Sequence, residues 1–290
     1  MPINLKLYLQ SLKNSYVAII VTVLIFAFLG VIYSLNSPQQ YLVTAAIDQK
    51  KDSQGAGMDA NSMISVALGG SQSGSKFFYE LKEVMYSLNV TERFDKNHGG
   101  LNDYFGHLYD QSSQSYKPLW NRSTIINKIK FSILGVPYNP VPNLYFLNRV
   151  VKGKVDISYD DFAELIRIRS YTSSPKKTKK LINALILETD AAMKSAEKFE
   201  IEERIKFLIQ ELTQISSIEQ REALSNILES QLLKKSLINS NALYKILIVR
   251  DLEVSEYPVK PNLMFLVSLF SLLGFMISIG FYTIRFILRL

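Results

Sequence analysis

Two long uncharged stretches, one near each end of the chain, constrain its fold more than any other feature. Residues 16–35 read YVAIIVTVLIFAFLGVIYSL, and residues 263–284 form a second run without a charged side chain. A helix of about 20 apolar residues covers about 30 Å, which is the hydrocarbon thickness of a bilayer. We therefore predict transmembrane helices over residues 16–35 and 262–284, in preference to a cleaved signal peptide at the start or a buried core helix at the end.

Basic residues flank both stretches on their outer sides and predict the orientation of the chain. Such residues keep nearby tails on the cytoplasmic side of a membrane. We expect the tails 1–15 and 285–290 in the cytoplasm, with no room for a cytoplasmic output domain. Residues 36–261 are then periplasmic, and the protein is a two-pass protein of a bacterial inner membrane. The flanking residues are Lys6, Lys13, Arg285 and Arg289.

Charge and composition exclude several other classes of protein. The chain carries 33 Lys and Arg against 26 Asp and Glu, a net charge of +7, and it has no cysteine. Because both tails are purely basic, the long segment between the spans is close to neutral, which argues against a nucleic-acid partner. The absence of cysteine excludes disulfide frameworks, thiolate metal sites and cysteine nucleophiles.

Catalytic and metal-binding patterns find little support in the sequence. His98 and His107 are the only histidines and have no H-E-x-x-H pattern around them, so we predict that they lie in a surface loop and bind no metal. Asp160 and Asp161 are adjacent, which predicts a solvated turn and not an acid pair. No Walker-type phosphate loop is present. We expect no enzymatic activity, no cofactor and no metal site.

The segment between the spans predicts an α+β fold. The residues YLVTAAID at 41–48 alternate in polarity and predict a strand soon after the first span. We assign residues 36–174 and 242–261 to an α/β base domain. Short helices are expected near residues 123–134 and 143–152, and further strands near residues 155–158, 164–171 and 244–254.

An extended antiparallel helical hairpin is predicted over residues 175–241. Ser174 followed by Pro175 is a strong helix start, and overlapping capping boxes at residues 216–220 predict a break followed by a second helix. Between them apolar residues recur with heptad spacing, which is typical of a coiled coil. We expect this seam to be too apolar for one small domain to bury, and therefore to favour assembly of several copies. Its members are Ile201, Ile205, Leu208, Leu212 and Ile215.

Three groups of residues are functional candidates. Four lysines in the first turns of the long helix oppose its macrodipole, so they either form a solvated face or meet an anionic sugar, diphosphate, headgroup or neighbouring carboxylate. Two small residues in the second span either pack closely against another helix or reflect ordinary glycine usage. Two prolines before that span either fix how the base domain is mounted on it or simply end the last strand. The candidates are Lys176, Lys177, Lys179 and Lys180; Gly274 and Ser278; Pro258 and Pro261.

The order of these parts resembles the polysaccharide co-polymerase family, the Wzz-type chain-length determinants. The passages that carry the resemblance are SPQQYLVTAAID, FFYELKEVMYSLNV, IRIRSYTSSPKKTKKLINALI and YPVKPNLMF, in that order. Three departures leave the subfamily open between chain-length control and capsule export. Ser174 stands where the family often has an acidic residue, residues 98–150 form an unusual aromatic insert, and Pro258 and Pro261 lack a frequent third proline.

The resemblance implies a non-enzymatic inner-membrane protein that assembles into homo-oligomeric rings and sets the length of a surface polysaccharide of the O-antigen or capsule type. The implied partners are a membrane polymerase, the lipid-linked polysaccharide and the lipid bilayer. An inner-membrane polysaccharide export adaptor and a two-span periplasmic sensor are the alternatives. The adaptor plan usually has one span, and a sensor needs a cytoplasmic output domain.

Overall fold

The computed structural model describes residues 15–50, 73–120, 122–135, 137–138, 140–215, 217–238 and 243–287. The expected tails with Lys6, Lys13 and Arg289 lie outside these residues. The chain divides into two compact units. The terminal unit comprises Met1–Leu42, Tyr171–Pro175 and Val254–Leu290, and the central unit comprises Val43–Ser170 and Lys176–Glu253.

Both helices and strands occur along the described residues. The helices are α1 (Tyr16–Asn36), α2 (Ser73–Met85), α3 (Leu88–His98), α4 (Gly100–Phe105), α5 (Arg122–Ile133), α6 (Leu144–Lys154), α7 (Pro175–Gln214), α8 (Ile218–Ile238) and α9 (Leu263–Ile287), with a 3₁₀ turn at Gly106–Leu108. The strands are β1 (Tyr41–Gln49), β2 (Tyr109–Asp110), β3 (Ser115–Tyr116), β4 (Asp156–Asp160), β5 (Leu165–Thr172) and β6 (Ile246–Val254).

A four-stranded sheet with the order β4-β5-β1-β6 runs through the fold, and β2 and β3 form a separate small ribbon. β4 and β5 are antiparallel, with Ile157 opposite Ile168. Val43, Ala45 and Ile47 of β1 are all buried, as predicted for one face of the strand, and Ala46 on the other face is buried as well. The sheet therefore contributes one apolar face to the core.

Helices supply the rest of the core of the central unit. α3 packs against α6, and α2 packs against β4. Leu81, Phe94, Leu147 and Leu185, from four different helices, are each almost fully buried. Apolar side chains at helical spacing thus meet in one interior, as an amphipathic helix requires.

The helical hairpin is confirmed, but the expected use of its seam is wrong. α7 runs unbroken from Pro175 to Gln214, and α8 returns along it after the predicted break. Ile201 and Ile205 pack with Ile238 of α8 in a buried cluster. α8 of the same chain therefore covers this part of the seam. Burial of the seam decreases towards the end of α7: Leu208 is buried, and Leu212 and Ile215 are half-buried.

Asp190 joins the hairpin to the last strand of the sheet. It lies on α7, is 3% exposed, and accepts three backbone N–H groups at the start of β6. Oδ2 accepts from Tyr244 at 2.8 Å, and Oδ1 accepts from Lys245 at 2.8 Å and from Ile246 at 3.0 Å. A buried carboxylate with three charge-assisted hydrogen bonds fixes where β6 begins.

Candidate functional site

The terminal unit contains two helices long and apolar enough to cross a membrane, Tyr16–Asn36 and Leu263–Arg285. They pack against each other along their length. Both agree with the predicted spans to within a few residues.

Glycines bring these two helices together. A Cβ added at Gly274 would lie 2.8 Å from Cβ of Phe26, and one added at Gly30 would lie 3.2 Å from Cβ of Phe270. Each glycine therefore receives a phenylalanine of the opposite helix. Close helix packing in a bilayer depends on such small residues because apolar burial against lipid supplies little driving force. Of the two hypotheses for Gly274, the close-packing one describes its surroundings.

Ser278 lies one turn beyond Gly274 on the same helix. It is 4% exposed, and its Oγ has no hydrogen-bond partner within the described part of the chain.

The residues that lead into α9 are tied to those that leave α1. We call residues 255–260 the connector. The N–H of Gln40 donates to the carbonyl of Lys260 at 2.9 Å, and the N–H of Val259 donates to the carbonyl of Gln40 at 2.8 Å. Further along, the N–H of Ser255 donates to the carbonyl of Leu42 at 2.8 Å. The entry to one apolar helix and the exit from the other are thus held by backbone hydrogen bonds.

The two candidate prolines flank the end of the connector. Pro258 is exposed, Pro261 is half-buried, and neither lies inside a helix or strand. Pairing with Gln40 takes place at Val259 and Lys260, between the prolines. The ammonium group of Lys260 also lies 3.6 Å from the ring centroid of Tyr171, close enough for a cation–π contact.

The four lysines at the start of α7 do not act as one cluster. Lys180 forms an ion pair with Asp103 at 3.1 Å, so a carboxylate of the same chain compensates one of them. Lys177 and Lys180 line a cavity of about 200 Å³ together with Tyr104. Burial, with a smaller contribution from the charge of Asp103, raises the pKa of Tyr104 to about 12. Lys176 is exposed and Lys179 half-buried.

A larger cleft of about 780 Å³ lies in the central unit, and sequence reasoning did not find it. Its walls come from α2, α3, α7, α8, the end of β1 and the residues just before β6. Lys245 lies at one side, 3.0 Å from Oε2 of Glu197 and 3.2 Å from Oε1 of Glu80. Burial alone lowers the pKa of Lys245, but the two carboxylates outweigh it, so the pKa is raised. The lysine is therefore a fixed positive charge between two negative ones.

The interpretation of His98 as a surface-loop residue is wrong. It is the last residue of α3, stacks on Phe94, and places Nε2 3.0 Å from Oε1 of Glu188 on α7. Glu188 is buried and also accepts from Asn97 at 2.9 Å. His98 is thus part of a polar contact between two helices, whereas His107 is exposed in the 3₁₀ turn.

Asp160 confirms the predicted turn. Its carboxylate accepts the N–H groups of Phe162 and Ala163, both at 3.1 Å, and pairs with Arg167 at 2.6 Å. The hydrogen bond from Ala163 is the main reason that the pKa of Asp160 is lowered. Asp161 is exposed beside it, so the two acids do not converge on one site. Across the described ranges, no three His, Asp or Glu side chains are close enough to hold a metal ion.

These features define a class of protein: a two-span membrane protein whose paired apolar helices enclose, in sequence, an α+β unit with a helical hairpin. A family model described as "Wzz: Chain length determinant protein" matches residues 2–98. This match confirms the resemblance to the Wzz-type chain-length determinants. No curated protein matches the chain. A solved structure described as a full-length bacterial polysaccharide co-polymerase aligns over 97% of both chains, at 13% identity and a TM-score of 0.36.

Proposed function

We propose that this protein is a non-enzymatic regulator of the chain length of a surface polysaccharide, of the O-antigen or capsule type. The observation that carries the proposal is the Wzz family match over residues 2–98, which includes the first apolar helix, together with the second apolar helix packed on the first. The partners in this proposal are a membrane polymerase and its lipid-linked polysaccharide, which the paired helices reach in the plane of the inner membrane.

The proposed orientation has both termini in the cytoplasm and residues 36–261 in the periplasm. The basic tails support it, because positive residues close to a span favour the cytoplasmic side. Reporters that work only in the periplasm should be active when inserted near Gly55 or Gly99 and inactive when fused after Leu290. An active fusion after Leu290 would overturn the proposed orientation.

We further propose that copies of the chain assemble into a ring. This proposal is supported by apolar side chains of the hairpin that lie outside the heptad seam and are exposed in the single chain. Phe199 is 68% exposed, Phe207 58% and Leu233 62%. Apolar surface of this extent on one element is typical of an interaction site.

The test compares the polysaccharide ladder on a gel from cells with the gene, without it, and with variants restored to the deletion strain. Deletion should change the modal length, and the native gene should restore it. Phe207→Asp places a charge on the exposed apolar surface and should lower the oligomeric state in mild detergent and broaden the ladder.

Gln210→Asp is the matched control, because Gln210 is an exposed polar residue on the same helix. It adds the same charge and should leave both the oligomer and the ladder unchanged. An unchanged ladder after deletion would refute chain-length control. A Phe207→Asp protein with normal oligomers would refute the proposed ring interface alone.

A further inference from the structure

The segment from 111 to 155 contains no acidic residue. It holds seven basic residues, so its net charge of +7 equals that of the whole chain. The rest of the chain sums to zero because its basic tails are offset by acidic residues elsewhere between the spans, so this segment is where positive charge is concentrated between the spans. Such a concentration attracts an anionic surface and raises the local concentration of anionic partners.

Helix α5 lies inside this segment and exposes a row of isoleucines. Ile125, Ile126, Ile129 and Ile133 are 49%, 55%, 57% and 80% exposed. At about 100° per residue, these four positions fall within an arc of about 100° on one side of the helix. Lys128 and Lys130 project on either side of that arc and are both exposed. An apolar stripe with lysines at both margins is the pattern of a helix that lies in a membrane interface.

The opposite side of α5 is held by the protein. Thr124 is 2% exposed, and the ring of Phe131 stacks on that of Tyr138 with centroids 5.3 Å apart and planes 9° apart. The N–H of Leu119 donates to the carbonyl of Pro140 at 2.8 Å. This hydrogen bond joins the residues before α5 to those after it. The isoleucine arc is thus presented outwards by a supported helix.

Trp120 stands just before α5 and adds a second interfacial feature. It is 50% exposed, and the ammonium group of Lys128 lies 4.8 Å from its ring centroid. Tryptophan favours the boundary between headgroups and acyl chains because its ring is apolar and its indole N–H is polar. We propose that α5 and Trp120 bind the surface of a phospholipid bilayer that carries anionic headgroups.

Charge and shape favour a bilayer over two other partners for this surface, a second copy of the chain and a free lipid diphosphate. A second copy of the chain that used the same patch would bring lysines against lysines. A free lipid diphosphate would need a concave site, whereas the isoleucine arc is a convex helix face. A bilayer satisfies both halves of the pattern at once, because acyl chains receive the isoleucines while anionic headgroups meet Lys128 and Lys130.

The chain has a single tryptophan, so its fluorescence reports on Trp120 alone. The full-length protein is reconstituted into bilayers of phosphatidylcholine, with or without phosphatidylglycerol, in which the acyl chains are brominated to quench nearby indole. In a second arm the protein stays in unbrominated nanodiscs and brominated vesicles of the same compositions are added. We expect quenching of Trp120 in at least one of the two arms when phosphatidylglycerol is present. This quenching should weaken as salt is added.

Two variants test the two halves of the surface, each normalised to its own signal in unbrominated lipid. Ile126→Ser with Ile129→Ser, and separately Lys130→Glu, should each lower the quenching by about half or more. Leu247→Ser with Val249→Ser is the matched control, since these residues of β6 are similarly exposed, at 46% and 50%, and lie outside the proposed ring interface. Circular dichroism of each variant checks that the fold is retained.

Three outcomes would overturn the proposal. One is a fully folded protein whose Trp120 is quenched in neither arm. Another is quenching that the α5 variants and the β6 control change equally. The third is a Trp120 signal that responds only to protein concentration or to added isoprenyl diphosphate, which would assign the surface to a second copy or to a free lipid diphosphate. None of these outcomes bears on whether the protein controls chain length.

Discussion

Replacing Asp190 by alanine should loosen the start of β6 more than any other single change of a polar residue that we consider. The carboxylate accepts N–H groups from Tyr244, Lys245 and Ile246, at 2.8 to 3.0 Å, from a site that is 3% exposed. Alanine would leave all three donors without their acceptor. Tyr244 and Lys245 are half-buried, so water can reach them in part, but Ile246 is 1% exposed.

The expected cost follows from the state of these three donors. A buried donor left without a partner costs about 1–3 kcal/mol, with the lower values where water can enter. Asp190→Ala should therefore destabilise the region by about 4 kcal/mol. Asp190→Asn keeps an oxygen for Lys245 and Ile246 but turns an amide NH₂ towards Tyr244 and removes the charge. We expect about 2 kcal/mol for that change.

Amide hydrogen exchange measured by mass spectrometry gives a local readout on the full-length protein in detergent. Peptides that cover residues 243–254 should exchange about 1,000-fold faster in Asp190→Ala and about 30-fold faster in Asp190→Asn, because each 1.4 kcal/mol corresponds to about a factor of ten. Glu200→Ala is the control on the same helix. Glu200 forms an exposed pair with Arg204 at 3.1 Å, so its loss should change stability by less than about 1 kcal/mol.

The order of the exchange rates of the three variants tests whether the hydrogen bonds of Asp190 hold the start of β6. If Asp190→Ala and Glu200→Ala give the same exchange rates at residues 243–254, the carboxylate does not hold β6. If Asp190→Asn is as damaging as Asp190→Ala, the charge and not the set of hydrogen bonds carries the effect, and the accounting by donors is wrong.

Three further predictions concern the apolar helices, the connector and alkaline pH. Gly274→Ala should lower the free energy of unfolding in detergent by about 1–3 kcal/mol, since the added Cβ would lie 2.8 Å from Cβ of Phe26. Gly280→Ala is the control and should be neutral, because its Cβ would enter open space. Equal melting temperatures for the two variants would contradict this prediction. Pro258→Ala should leave expression and oligomers normal but shift or broaden the polysaccharide ladder, and an unchanged ladder would mean that the proline merely ends the strand. Burial, assisted by the charge of Asp156, raises the pKa of Tyr86 from 10.0 to about 12, so the stability it contributes is present below pH 10 and lost as the pH rises towards 12. Tyr86→Phe should flatten that part of the stability profile, and an equally steep profile would argue against a role for Tyr86.

The parts of the fold that local signals determine could be predicted from the sequence. The apolar stretches fixed both membrane helices, and the proline at position 175 fixed the start of α7. The break near residue 216 followed from capping residues alone. These signals act over one or two helical turns, so a single sequence carries them.

Contacts between residues distant in sequence could not be predicted in the same way. His98 meets Glu188 across 90 positions, and neither residue carries a motif that announces its partner. Asp190 was not selected either, although a signal existed: it stands four residues after Ile186 and three before Met193, both buried, on the apolar side of α7. An acidic residue at a core position of a long helix indicates a buried hydrogen-bonding role.

The closure of the hairpin within one chain bears on how the protein is made. Because Ile201 and Ile205 contact Ile238 of the same molecule, a single copy completes this part of its core without a neighbour. In the ring that we propose, association then adds contacts to a hairpin that is already closed and is not a condition for closing it. We expect a ring of such subunits to take up and lose copies one at a time, with a size that responds to the amount of protein in the membrane.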